Sequence, residues 1–124
     1  MVELIWEPFG VVRRLSGVVD TEELDASARK IQGNERTDDL YFIIHDFTAC
    51  SDIVVSKSDI KYMAVRATIA LQRNQRVKIA FVGTHPVVHA LIDAFNSHAR
   101  THLRCRRFDT LEEARLYTAP PMKS

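Results

Sequence analysis

Leu40-Tyr41-Phe42-Ile43-Ile44 is an unbroken apolar run, entered from Thr37-Asp38-Asp39 and left through His45-Asp46-Phe47-Thr48. It is too short for a helix and apolar at both parities. That pattern predicts a central strand covered on both faces, ending at His45-Asp46-Phe47-Thr48. Val77-Lys78-Ile79-Ala80-Phe81-Val82, stopped by Gly83, is a second buried strand of the same kind. Two such strands separated by a helical stripe predict a parallel pair with a crossover helix between them. That stripe is Ile60, Met63, Ala64, Ala67 and Leu71, with Lys61, Arg66 and Arg73 outside it and Ser58 as a cap. Residues 49–57 read equally as loop, helical turn or the start of that helix.

Upstream, Val2 to Trp6 and Val11 to Val19 are strand-like runs divided by Glu7-Pro8-Phe9-Gly10, a turn signal that predicts an antiparallel hairpin. Asp20 with Glu23 fits a capping box ahead of the stripe Leu24, Ala28 and Ile31, and Gly33-Asn34 is a stop signal. Downstream, Pro86 opens a helix capped by Thr84 or His85, with Val88, Leu91, Ile92 and Phe95 toward the core. Leu103 to Phe108 predicts a last strand. Capping boxes within Asp109-Thr110-Leu111-Glu112-Glu113 start a short final helix that carries Leu111, Ala114, Arg115 and Leu116. The order is β-β-α-β-α-β-α-β-α. It predicts a single α/β domain over residues 1–118, a mixed five-stranded sheet flanked by about four helices, with Ile43, Phe81, Leu91, Ile92 and Phe95 in the core. Residues 119–124, with two prolines and no periodicity, read as a flexible tail.

Composition agrees with a globular domain. The chain has 124 residues, 46% apolar and 27% charged, with a formal net charge of +1. A near-neutral balance gives no bulk charge argument for nucleic acid or an acidic membrane surface. No run approaches the roughly 20 apolar residues that span a bilayer, and the first residues carry an acid where a signal peptide wants a base. Cys50 and Cys105 lie far apart without a C-x-x-C spacing. The expectation is a cytoplasmic protein with two reduced thiols, no membrane insertion and no nucleic-acid partner.

The element order resembles the STAS-like fold (sulfate transporter and anti-sigma-factor antagonist), in particular small bacterial SpoIIAA-like proteins. The resemblance covers about residues 5–118. It rests on that order and on three stretches: Phe42-Ile43-Ile44-His45-Asp46-Phe47, Lys78-Ile79-Ala80-Phe81-Val82-Gly83, and Arg107-Phe108-Asp109-Thr110-Leu111-Glu112-Glu113-Ala114. It implies a non-catalytic regulatory or ligand-sensing domain that works through protein contacts, and a structural neighbourhood with lipid carriers of the CRAL-TRIO type. Anti-sigma antagonists of this kind carry an acid-[LF]-[ST] strand end, matched by Asp46-Phe47-Thr48, then a D-S-[ST]-G-like helix start whose hydroxyl is phosphorylated. The family spacing reaches Val54-Val55-Ser56-Lys57. Ser56 falls on the acceptor position, but Val54 and Lys57 replace the acid and the glycine. Ser56 is therefore read as not phosphorylated.

Parallel α/β sheets bind ligands beyond the carboxyl ends of their strands. His45, Asp46 and Thr48 at one predicted end, with Thr84 and His85 at another, form the candidate ligand-binding set. A helix N-terminus there favours a small anionic or amphipathic ligand. The bland alternative is that Thr84 caps a helix, His45 packs and Asp46 bonds backbone. His85, His89 and Asp93 share a helix face at i, i+4 and i+8, and His98 and His102 form another i, i+4 pair. The trio lies away from the core face and no H-E-x-x-H pattern exists, so no metal and no cofactor is expected. Cys50 near His45 is read as a packed thiol rather than a nucleophile. Arg100, Arg104, Arg106 and Arg107 read first as charge guarding an edge strand, and second as a surface for an acidic partner or lipid head group.

The resulting expectation is a non-enzymatic, STAS-like protein-interaction domain, with homodimerisation as one mode of contact. The alternative is a carrier or sensor of a small anionic or lipid-like ligand.

Overall fold

The computed structural model describes residues 1–99 and 103–121. Its elements are β1 (Val2–Trp6), β2 (Gly10–Asp20), α1 (Thr21–Gln32), β3 (Phe42–Val54), α2 (Lys57–Leu71), β4 (Lys78–Val82), α3 (Pro86–His98), β5 (Arg106–Phe108) and α4 (Leu111–Thr118). A single 3₁₀ turn, Thr37–Asp39, precedes β3. The strands lie in sequence order in one five-stranded sheet. β1 is antiparallel to β2, and β2 through β5 are parallel. This is the mixed α/β architecture that the alternation of periods predicts.

Each crossover adds its strand on the same side of the last. Right-handed connections then place α1, α2 and α3 on one face of the sheet. Beneath them lies the main core, with Leu24 and Ile31 from α1, Ile60 and Leu71 from α2, and Val88, Leu91, Ile92 and Phe95 from α3 against Val11, Leu15, Ile43, Ile79 and Phe81. The opposite face carries a smaller cluster, Val12, Phe42, Ile44, Ala80 and Val82, closed by Ala114, Leu111 and Tyr117 of α4. All five predicted core residues are buried.

Caps set the helix boundaries. Asp20 accepts from the Glu23 N–H, and Thr110 and Glu113 complete a reciprocal capping box at α4. For α2 the cap is Ser56, not Ser58: its hydroxyl accepts from the Asp59 N–H at 3.2 Å. Asn74 is fully buried between α2 and β4. Its amide donates to the carbonyls of Thr37 and Leu40 and accepts from the N–H groups of Arg76 and Val77. This side chain ties the turn before β3 to the turn before β4, and so holds the two central strands in register at their start.

Two strand ends differ from expectation. β5 begins at Arg106 rather than Leu103. Leu103 is buried before the strand, and the Asn96 side chain bonds the backbone N–H and C=O of Cys105, so these groups do not join a ladder. The larger correction concerns β3. It does not end at His45-Asp46-Phe47-Thr48 but continues to Val54, taking up most of the segment left open at 49–57. There it pairs with β2 alone, through two register shifts, one between Arg14 and Ser16 and one between Gly17 and Val18. Gly17 sits at φ +69°, a left-handed conformation that a bulge can use and that glycine adopts without strain. The shifts break the alternation, which is why the extension does not read as a strand.

Candidate functional site

Pairing of β3 with β4 stops at Asp46–Val82. Beyond it, Ser16–Asp20 and Ala49–Val54 form a two-stranded ribbon that outruns the sheet. One face of the ribbon packs inward through Val19 and Ile53. The other lies past the reach of α4 and exposes Val18 by 60% and Val54 by 56%. Val54 pairs with Asp20, two residues beyond Val18, so the two valines are diagonal neighbours on that face. The N-termini of α2 and α3 flank the same end.

The five candidate ligand residues fall in three places. Asp46 is buried on the α4 face of the sheet. Its Oδ1 accepts from the Thr48 N–H at 3.0 Å and from the Thr48 hydroxyl at 2.7 Å. Asp46 and Thr48 therefore satisfy each other and brace the bulge. His85 caps α3, where its Nδ1 accepts from the Val87 N–H. That bond leaves the proton on Nε2, which donates to Asp52 Oδ1 at 3.0 Å. The Ile53 N–H and then His85 hold the Asp52 carboxyl below its ordinary range, against a small opposing effect of burial. Thr84 is exposed beside this pair. Ser56 stands at the same end, its hydroxyl donating to Asp59 Oδ2 at 2.8 Å as it caps α2.

His45 does not join them. A period of two places its ring on the helix-covered face, with Ile43 and Phe47, opposite Asp46. The ring lies 4.6 Å from that of Phe81, and its Nδ1 is buried without a partner. Burial, and then the charge of Arg13, keep the imidazole neutral, with a pKa well below the usual 6.5. Arg13 is the register partner of His45 on β2. It is 5% exposed, and its Nη1 donates to the Leu24 carbonyl at 3.2 Å and the Ser27 hydroxyl at 3.1 Å, while Nε has no partner. Burial lowers its pKa to about 10. Arg13 is the residue that sequence reasoning passed over. The signal was present in Val11, Arg13 and Leu15, which alternate onto one face, so an arginine between two core residues had to be buried.

The remaining candidates are accounted for locally. Burial raises the Cys50 thiol and pushes Cys105 up to about 12, so neither is a ready thiolate. His89 and Asp93 are exposed on α3, while His102 and Arg100 lie outside the described residues. Among the described residues no three His, Cys, Asp or Glu side chains converge as a metal site would require. β5 is an edge strand. Arg106 lies over the Tyr117 ring at 4.9 Å, and Arg107 donates to the Gly83 carbonyl and Asp109, while Arg104 is exposed. No helix among these residues is long and apolar enough to cross a membrane.

No family model matches the sequence, and no curated protein matches it. Solved structures do. The anti-sigma factor antagonist SpoIIAA in its unphosphorylated form superposes with a TM-score of 0.62 at 17% identity, over 94% of this chain and 96% of that one. The Bacillus cell fate determinant SpoIIAA in the phosphorylated form gives the same TM-score and identity, over 92% and 96%. At that identity the likeness establishes the fold, which is the STAS fold of SpoIIAA.

Proposed function

We infer that this chain is a non-catalytic, regulatory protein-interaction domain, and that its docking face is the projecting end of β2 and β3 with the adjoining N-termini of α2 and α3. One observation carries the reading. The ribbon leaves two valines more than half exposed on a face that no helix covers, beside a strand edge with no partner past Asp46 among the described residues. Exposed apolar side chains next to an open edge are what a partner chain uses, by burying the valines and adding backbone hydrogen bonds. The polar groups around them, Asp52, His85, Thr84 and Ser56, supply a rim. The likeness of fold to an anti-sigma factor antagonist supports a regulatory role of this kind. The imidazole at this end, His85, has both ring nitrogens engaged, by the Val87 N–H and by Asp52, and the Ser56 hydroxyl is held in the α2 cap, so the face presents no free base beside a nucleophile.

The test is affinity purification from the native cell with the wild-type chain and with a Val18→Asp, Val54→Asp double variant, alongside sedimentation analysis. The wild type should bring down a stoichiometric protein, or sediment as a homodimer, and the double variant should lose that association while staying folded. A partner held equally by the double variant, or a wild type that is monomeric and brings down nothing, would refute this reading.

A further inference from the structure

Between the sheet and the helical layer lies a mostly apolar cavity of about 80 Å³, on the face opposite Asp46 and away from the ribbon face. Small side chains leave the space: Ala28 on α1, and Ala64 and Ala67 on α2. Its polar groups are Arg13 and His45, from neighbouring strands, and Gln32 at the end of α1.

Arg13 is the anomaly. Buried charges in folded proteins are paired or hold a ligand. Among the described residues no carboxylate forms an ion pair with Arg13. Two of its five donor positions are filled, by a neutral carbonyl and a neutral hydroxyl on Nη1. The buried Nε–H has no acceptor, and neither has His45 Nδ1 a partner. Adjacent strands stand about 4.8 Å apart, a spacing that a carboxylate spans with one oxygen toward each. A neutral imidazole with its proton on Nδ1 donates to such an anion beside the guanidinium.

We propose that this cavity binds a small aliphatic monocarboxylate, its oxygens held by Arg13 Nε–H and His45 Nδ1–H and its chain lying against Ala28, Ala64 and Ala67. One guanidinium neutralises one negative charge. A phosphate would bring more charge and more oxygens than two donors satisfy. A cavity of about 150 Å³ takes benzene, with six heavy atoms, so roughly half that volume fits about three or four heavy atoms, an acid of acetate's size. Gln32 lines both the cavity and a surface depression that holds Arg29 and Arg66, between α1 and α2. Both arginines pair there with Asp25, Arg29 at 2.8 Å and Arg66 at 3.6 Å, so these three groups together leave one positive charge beside Gln32. This site is independent of the docking face, and either can fail without the other.

The experiment is calorimetric titration, with thermal unfolding in parallel, using acetate, butyrate and hexanoate at constant ionic strength. Ethanol and ethylamine serve as neutral and cationic analogues. Acetate should bind saturably and raise the melting temperature more than butyrate or hexanoate, and neither analogue should do so. Arg13→Met should weaken acetate at least tenfold, whereas Arg14→Met, one residue along on the exposed face, should leave it unchanged. Ala67→Leu keeps both polar groups and fills the space, so it should abolish binding in a folded protein. It decides the matter where Arg13→Met does not fold. Absence of saturable acetate binding, equal binding of ethanol, or acetate binding that survives Ala67→Leu would overturn the proposal.

Discussion

From Phe42 to Asp46, β3 is paired to β2 on one edge and to β4 on the other, and it contributes to a packed cluster on each face of the sheet. From Phe47 to Val54 it is paired to β2 alone, through two register shifts, and only Phe47 and Ile53 are buried. The first half is held by everything around it, and its substitution should be felt by the whole domain. The second half rests on one neighbour, and its outward face is free for another molecule. A continuous strand can thus contain a half covered on every side and a half held by one neighbour. The difference between them lies in how many sides are covered rather than in the backbone conformation.

The contrast is broken most forcefully by cutting into the first half. Phe81, paired with His45 and packed near Phe47, should lose ~3–5 kcal/mol on Phe81→Ala, and Ile43→Ala about 2–5, read from urea denaturation. Near-neutral values would contradict the assignment of that half to the core. Asn74→Ala should follow, at about 2–4 kcal/mol, because it orphans two carbonyls and two N–H groups in the turns that start β3 and β4.

Acid should act next. The pKa of His45 is depressed in the folded state, so the unfolded chain takes up the proton first. Stability is then fully present above about pH 6.5 and falls below it, by at most about 1.4 kcal/mol per pH unit until the folded pKa is reached. His45→Phe should flatten that slope in denaturant midpoints measured from pH 7 to pH 5. An unchanged slope would mean that the ring protonates freely in the fold. At the entrance to α2, Ser56→Ala should cost about 1 kcal/mol through loss of the cap. Because the hydroxyl serves that cap and lacks the acid and glycine of the phosphorylated motif, phosphopeptide mapping from native cells should find Ser56 unmodified. Val54→Asp should have the smallest effect on stability, within about 0.5 kcal/mol. A loss of several kcal/mol would show that the second half of β3 is packed after all.

Sequence patterning located the elements that are buried on both faces, since a run such as Phe42-Ile43-Ile44 has few alternatives to a central strand. It missed the extension to Val54 for a physical reason. Ala49-Cys50-Ser51-Asp52 crosses two bulges, so its inward and outward residues do not alternate, and half of its surface faces water. The candidate ligand set failed to assemble for a related reason. His45 and Asp46 are adjacent in the chain but, within a strand rather than at its end, they point to opposite faces. Arg13 was legible through Val11 and Leu15, yet its unmet hydrogen-bonding capacity depends on which side chains the helices bring above it. No local pattern carries that information.

Residue-resolved hydrogen exchange along β3 tests the division of this strand most directly. The amides of Ile43 to Asp46 should exchange only through global unfolding, while those of Ala49 to Val54 should on average exchange at least about a hundredfold faster, through local opening of the ribbon. Uniform protection from Ile43 to Val54 at the level of global unfolding would contradict the account, because the second half would then be as firmly held as the first.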